Sequence, residues 1–169
     1  MKMIAEKLGK ADRYDRLRFI RADASEATIS MPRQGTLPHD LIHYVVESAL
    51  PLRHGFLSLV AGGADPSFAM DIVHDATRVD VELEAIQAEA VVEALQTQLW
   101  GGAFDLDAFR YAVDSATAAR GRPSFDFSAT SPERALYEPA LALLERWQQV
   151  PFHQTLELDF AGGSAPRAR

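Results

Sequence analysis

Period-two alternation near both ends of the chain, separated by a long stretch of helical periodicity, is the pattern that most restricts its fold. Tyr14 to Arg21 alternates Leu17 and Phe19 with Arg16 and Arg18, and Glu26 to Met31 alternates Ala27, Ile29 and Met31 with Glu26, Thr28 and Ser30. Side chains two apart share one face of a strand, so each segment reads as a strand with a single apolar face. The intervening Ala22-Asp23-Ala24-Ser25 is short and turn-forming, which predicts an antiparallel hairpin. Thr155 to Phe160 repeats the pattern, with Leu156, Leu158 and Phe160 on one face and Glu157 and Asp159 on the other. A lone hairpin is marginal in water, so the C-terminal strand is expected to join the same sheet and helices to cover it.

Between the strands the period becomes helical. Val81, Ala85, Ala88, Val92, Leu95 and Leu99 recur at steps of four and three, with Leu83, Ile86, Ala90 and Val91 widening the apolar surface and Gly101-Gly102 as a stop. Asp105 can cap a further helix, with Phe104 and Phe109 as a hydrophobic staple, and Gly121 ends it. Ser131-Pro132-Glu133 opens a last helix that Pro139 should break or kink near Glu138. Within Pro51 to Arg78 a short helix is expected around Phe56 to Ala61. The fold class expected is α+β: a small antiparallel sheet, made of the N-terminal hairpin plus the C-terminal strand, packed against four or five helices. Residues 1–160 form a single domain in this reading, and residues 161–169, without periodicity, a frayed tail.

Composition narrows the class. At 169 residues, 47% apolar and 24% charged, the chain suits one domain with a sizeable core. The first residues lack the apolar run of a signal peptide, and no later stretch is long enough to span a bilayer, so a cytoplasmic protein without membrane association is expected. A formal charge of −7 argues against general nucleic-acid binding. Arg13, Arg16, Arg18 and Arg21 nevertheless crowd the first hairpin strand, and Asp80, Glu82, Glu84, Glu89 and Glu93 make the long helix acidic; the plain reading of both is a solvated face, the sharper one an anion-binding or partner-binding patch. With no cysteine, any metal must be held by imidazole, carboxylate or water.

One segment points at chemistry: Pro38-His39-Asp40-Leu41-Ile42-His43-Tyr44-Val45-Val46-Glu47 sets two histidines four residues apart on one helix. At about 100° per residue, Leu41, Ile42, Val45, Val46, Ala49 and Leu50 fill one arc, while His39, Asp40, His43, Tyr44 and Glu47 share the other. The spacing resembles the H-E-x-x-H signature of zinc hydrolases, with Asp40 in place of the glutamate. That resemblance implies a divalent-metal site, with zinc as the candidate ion, His39 and His43 as ligands and Asp40 as the base of a metal-dependent hydrolase. If Thr36 caps the helix, Asp40 also lies near its first turn, where a negative charge is favoured. Eight helical residues rise about 12 Å, too far for Glu47 to join both histidines on one ion, which leaves it as a supporting partner or a separate acid-base group. The third ligand must come from elsewhere: His54, Asp71, His74, Asp75 and His153 are the candidates, with His74 in the densest group.

A second constellation, His43, His74-Asp75 and Asp114, is similar in order to the metal-binding pattern of HD-domain phosphohydrolases. That family is essentially all helical, whereas strands are expected at both ends here. No strand-Gly-x-Ser-x-Gly-helix element appears, and Gly62-Gly63 alone is a turn signal rather than a phosphate loop. The non-catalytic alternative rests on helix 80–100, whose four-three stripe could serve as core or as the contact of a homodimer or other partner.

Overall fold

The computed structural model describes residues 1–67 and 79–162. The sheet has four antiparallel strands, β1 (Lys2–Lys7), β2 (Tyr14–Ile20), β3 (Glu26–Pro32) and β4 (Gln154–Asp159), in the order β3-β2-β1-β4. Among the described residues five α-helices lie between β3 and β4: α1 (His39–Ala49), α2 (Phe56–Ala61), α3 (Val79–Gly101), α4 (Leu106–Ala119) and α5 (Glu138–Gln149). The α+β architecture is therefore the one the alternation predicts. The C-terminal strand reaches the hairpin through β1, a strand the period-two reading had not picked out.

Register explains the single apolar face. Met3 pairs with Phe19 on one side and Leu158 on the other, and Ala5 with Leu17 and Leu156; Leu17 and Phe19 continue the rows to Ile29 and Ala27. All of these are buried or half-buried, and the buried ones join Leu41, Ile42 and Val45 of α1 in the core. Burying each large apolar side chain contributes about 1.5–3 kcal/mol. On the outer face Arg16 lies 3.6 Å from Glu6 and Arg18 3.5 Å from Glu26, exposed pairs that account for two of the four arginines crowding this strand. Arg21 instead donates to the carbonyls of Val60 and Ala64, tying the hairpin to the end of α2.

The chain punctuation acts where the sequence places it. The Asp105 carboxylate accepts from the Ala108 amide at 2.9 Å, and the Phe104 and Phe109 rings lie 5.5 Å apart. Gly102 follows α3 with φ +72°, the left-handed conformation that ends helices and suits glycine. Pro139 falls in the first turn of α5, behind a π-helical turn at Glu133–Tyr137 that absorbs the break. In α3, Ala85, Ala88, Val92, Leu95 and Leu99 are all buried within the one chain, as are Ala90 and Val91. The four-three stripe is thus core. No helix among the described residues is long and apolar enough to cross a membrane. The expected third ligand His74, with Asp71 and Asp75, lies outside the described residues, as does the expected tail from residue 163.

Candidate metal centre

Helix α1 starts one residue after Pro38, whose carbonyl accepts from the amides of Leu41 and Ile42 at 2.9 and 3.1 Å. Thr36 does not cap it: proline's fixed φ sets the entry, and the Thr36 hydroxyl is buried without a hydrogen-bond partner. Asp40 still lies in the first turn. The apolar arc of α1 packs into the core. Of its polar arc, which amphipathicity alone would turn to solvent, His39, His43 and Glu47 face α2 and α3, with His43 5% and Glu47 0% exposed, while Tyr44 donates to the Asp159 carbonyl of β4.

Three side chains converge there. His39 Nε2 lies 3.2 Å from Glu89 Oε1, and His43 Nε2 lies 3.1 Å from Glu89 Oε2. One ligand atom from each of His39, His43 and Glu89 falls within 4.8 Å of the other two. The acidic group that meets both histidines is therefore Glu89 of α3, a residue the sequence reading assigned to a solvated helix face. An ion with bonds of about 2 Å needs tetrahedral ligands roughly 3.3 Å apart, which the two His–Glu separations approach.

The outward nitrogens are already engaged. His43 Nδ1 lies 3.1 Å from Glu47 Oε1, and His39 Nδ1 faces Gln96 Oε1 at 3.4 Å. A carboxylate only accepts, so the His43 Nδ1 position carries a proton. Gln96 Nε2 donates to Gln34 Oε1, an orientation that turns its own oxygen to His39 Nδ1. Glu47 is held in turn by the backbone amide of Leu57, at 3.1 and 3.0 Å from its two oxygens, and by that of Ser58 at 3.2 Å. The Phe56 ring covers His43 with centroids 5.3 Å apart.

Electrostatics follow from this packing. Burial opposes charge on His43, but its hydrogen bonds to Glu47 and Glu89 and their negative charges prevail and push the ring up to about 10. Burial likewise works against ionised Glu89, yet its bonds to His39 and His43 hold the carboxyl far below the usual carboxylate range. Asp40 is shifted upward, chiefly by burial and against the pull of His43 and His39. The side chains of His39 and Glu89 keep 28% and 22% of their surface exposed, whereas that of His43 keeps 6%.

The other residues singled out from sequence lie elsewhere. His54 pairs with Glu84 at 3.0 Å, and the same carboxylate oxygen caps the amides of Arg53 and His54. His153 is exposed, at a left-handed φ of +63°. Asp114 on α4 accepts from the Ser124 hydroxyl and is not one of the residues that meet His43, so the HD-like order does not converge among the described residues. Comparison with protein-family models, with curated proteins and with solved structures gives no match.

Proposed function

We propose that the chain is a divalent-metal-binding protein whose ion is held by His39 Nε2, His43 Nε2 and Glu89, with zinc as the favoured ion and Glu47 and Gln96 orienting the two rings. The observation that carries this reading is the convergence of both Nε2 atoms on Glu89, with one ligand atom of each of the three residues within 4.8 Å of the others. The opposite ring nitrogens face Glu47 and Gln96, so the two Nε2 atoms are the positions a cation would take. A ligating histidine whose other nitrogen donates to a carboxylate or carbonyl is the usual arrangement at metal sites. Two imidazoles and one carboxylate suit zinc and leave a fourth position for water, as catalytic rather than structural sites do.

A metal-dependent hydrolase is the corresponding enzymatic reading. Asp40, half-buried beside both histidines and with its carboxyl shifted upward, is the group suited to take a proton from bound water. Glu47, wholly enclosed and committed to His43 and two amides, is suited to orienting the ring rather than to moving substrate protons.

A second reading is favoured by the closure of the same network. With His43 protonated between Glu47 and Glu89, its hydrogen bonds are complete, and the cluster serves as a buried polar tie joining α1, α2 and α3. Elemental analysis of protein purified without an affinity tag, followed by zinc titration of wild type and His43→Ala, separates the two. The metal reading expects near-stoichiometric metal and an affinity loss of about tenfold or more in the variant. Equal affinities leave the polar tie.

A further inference from the structure

The structure assigns a second site, on the far side of the segment that leads into α1, for a small organic anion with a flat apolar body. A cavity of about 270 Å³ lies where the ends of β1 and β2 meet α5, walled by Lys7, Arg33, Gln34, Trp147 and Phe152. Its size is just below the range of about 300–1,000 Å³ common for small-molecule sites, which suits one ring and a carboxylate rather than a nucleotide.

The chemistry of the ligand follows from which polar groups are spent. Asp15, 3% exposed, is fully used: Oδ1 accepts from the Leu8 amide at 2.9 Å and Arg33 Nη2 at 2.6 Å, and Oδ2 from Arg33 Nε at 3.1 Å. What is left over donates. Lys7 Nζ gives two of its three N–H groups to the carbonyls of Trp147 and Gln148, at 2.7 and 3.3 Å. The third has no acceptor among the described residues. Arg33 spends Nε and Nη2 on Asp15, Leu8 and Gly9, and Nη1 keeps its hydrogens. Gln34 uses its oxygen on Gln96 and retains its amide N–H groups. The cavity wall itself carries two cations, Lys7 and Arg33, against one committed carboxylate, Asp15, with Asp12 acting on Arg33 from outside the wall. Burial, with Arg33 nearby, holds Lys7 below the ordinary lysine value despite Asp15, as expected of an ammonium lacking a close counter-charge.

The apolar part is equally defined. Lys7 Nζ sits 5.0 Å from the Trp147 ring centre and the Arg33 guanidinium 5.6 Å from that of Phe152, so each cation is stacked on a ring. Phe152 remains 45% exposed, a large apolar surface that a ligand body would cover. A carboxylate bridging the spare donors of Lys7 and Arg33, with a ring against Phe152 and Trp147, uses every element of the cavity.

Titration of the full chain with benzoate and phenylacetate, observed by calorimetry and by the indole N–H resonances in two-dimensional NMR, tests the assignment. Trp100→Phe identifies which indole signal belongs to Trp147. Saturable binding of the carboxylates that moves the Trp147 signal is expected, with benzyl alcohol weaker by at least about tenfold because it lacks the charge. Lys7→Met should lose about tenfold or more, whereas Lys7→Arg should retain binding. No binding by either carboxylate below about 10 mM, equal binding of the alcohol, or binding that leaves Trp147 unmoved in the wild-type chain overturns the proposal.

Discussion

Gly55 lies so close to Glu47 that a methyl group on its α-carbon would collide with the buried carboxylate. The backbone there has an ordinary extended conformation, so glycine is needed for space and not for an unusual dihedral. The absence of a side chain is what lets the amides opening α2 close on Glu47. Gly55→Ala is therefore expected to destabilise the fold by about 1–3 kcal/mol, the usual cost of overpacking, measured as a lower urea midpoint with an unchanged slope. A stability equal to wild type would mean that α2 can retreat freely from Glu47.

Glu47 itself should discriminate support from direct ligation. Glu47→Gln keeps the shape but removes the acceptor charge facing His43, and an affinity loss of about 10–100-fold for zinc is expected with the fold retained. Glu47→Leu leaves the His43 nitrogen and the Leu57 and Ser58 amides without their partner, and a cost of about 3–5 kcal/mol in unfolding free energy is expected.

Glu89→Ala removes the group that, among the described residues, meets both histidines. If the ion is held as proposed, zinc should raise the melting temperature of wild type in a concentration-dependent way and leave that of Glu89→Ala unchanged, because only binding to the native state stabilises it. Equal shifts in the two proteins would remove Glu89 from the ligand set.

The pH dependence has a defined sign. In the metal-free chain His43 is raised from 6.5 to about 10, so its contribution to stability is complete below about pH 6.5 and is lost as pH rises through 10. Glu89 is lowered from 4.5, so its contribution is present above that pH and fades on acidification. Stability from this pair should peak between these limits in denaturant titrations of chelator-treated protein. Zinc must displace the His43 proton, so its apparent affinity should climb with pH across the same alkaline range where metal-free stability declines. Affinity independent of pH between 6 and 9 would count against His43 as a ligand.

Leu95 is wholly enclosed within one chain, so Leu95→Asp is expected to unfold the protein and not to release folded monomers. Circular dichroism with light scattering distinguishes these outcomes.

How much of this was legible in the sequence depended on whether an element is covered on one side or several. The hairpin strands and β4 have one solvated face, and their alternation was plain. In β1, Met3, Ile4 and Ala5 are all buried, because the strand is central and Arg18 lies across from Ile4 on the outer face; the alternation that marks a strand is erased. Caps and breaks were readable because glycine, proline and aspartate act locally. The His39–His43 pair was visible through its spacing, but its carboxylate was not. Glu89 comes from another helix, forty-six residues beyond His43, and nothing in periodicity separates an acid facing solvent from one facing two imidazoles. Its flanking apolar residues do not mark it either, because Glu93 sits in the same stretch and is half-exposed beside Arg120.

The carboxamide pair of Gln34 and Gln96 joins the two regions of chemistry. Gln34 walls the anion cavity, its backbone carbonyl accepts from the Trp100 indole at 3.1 Å, and its side chain steers the amide that orients His39. A ligand that draws Gln34 toward the cavity would loosen its contact with Gln96, the side chain that faces His39 Nδ1. By thermodynamic reciprocity, whatever factor the anion imposes on metal affinity the metal imposes on anion affinity. If both ligands bind as proposed, the two glutamines lie between them, and measuring each binding curve with the other ligand present gives the size and sign of any linkage.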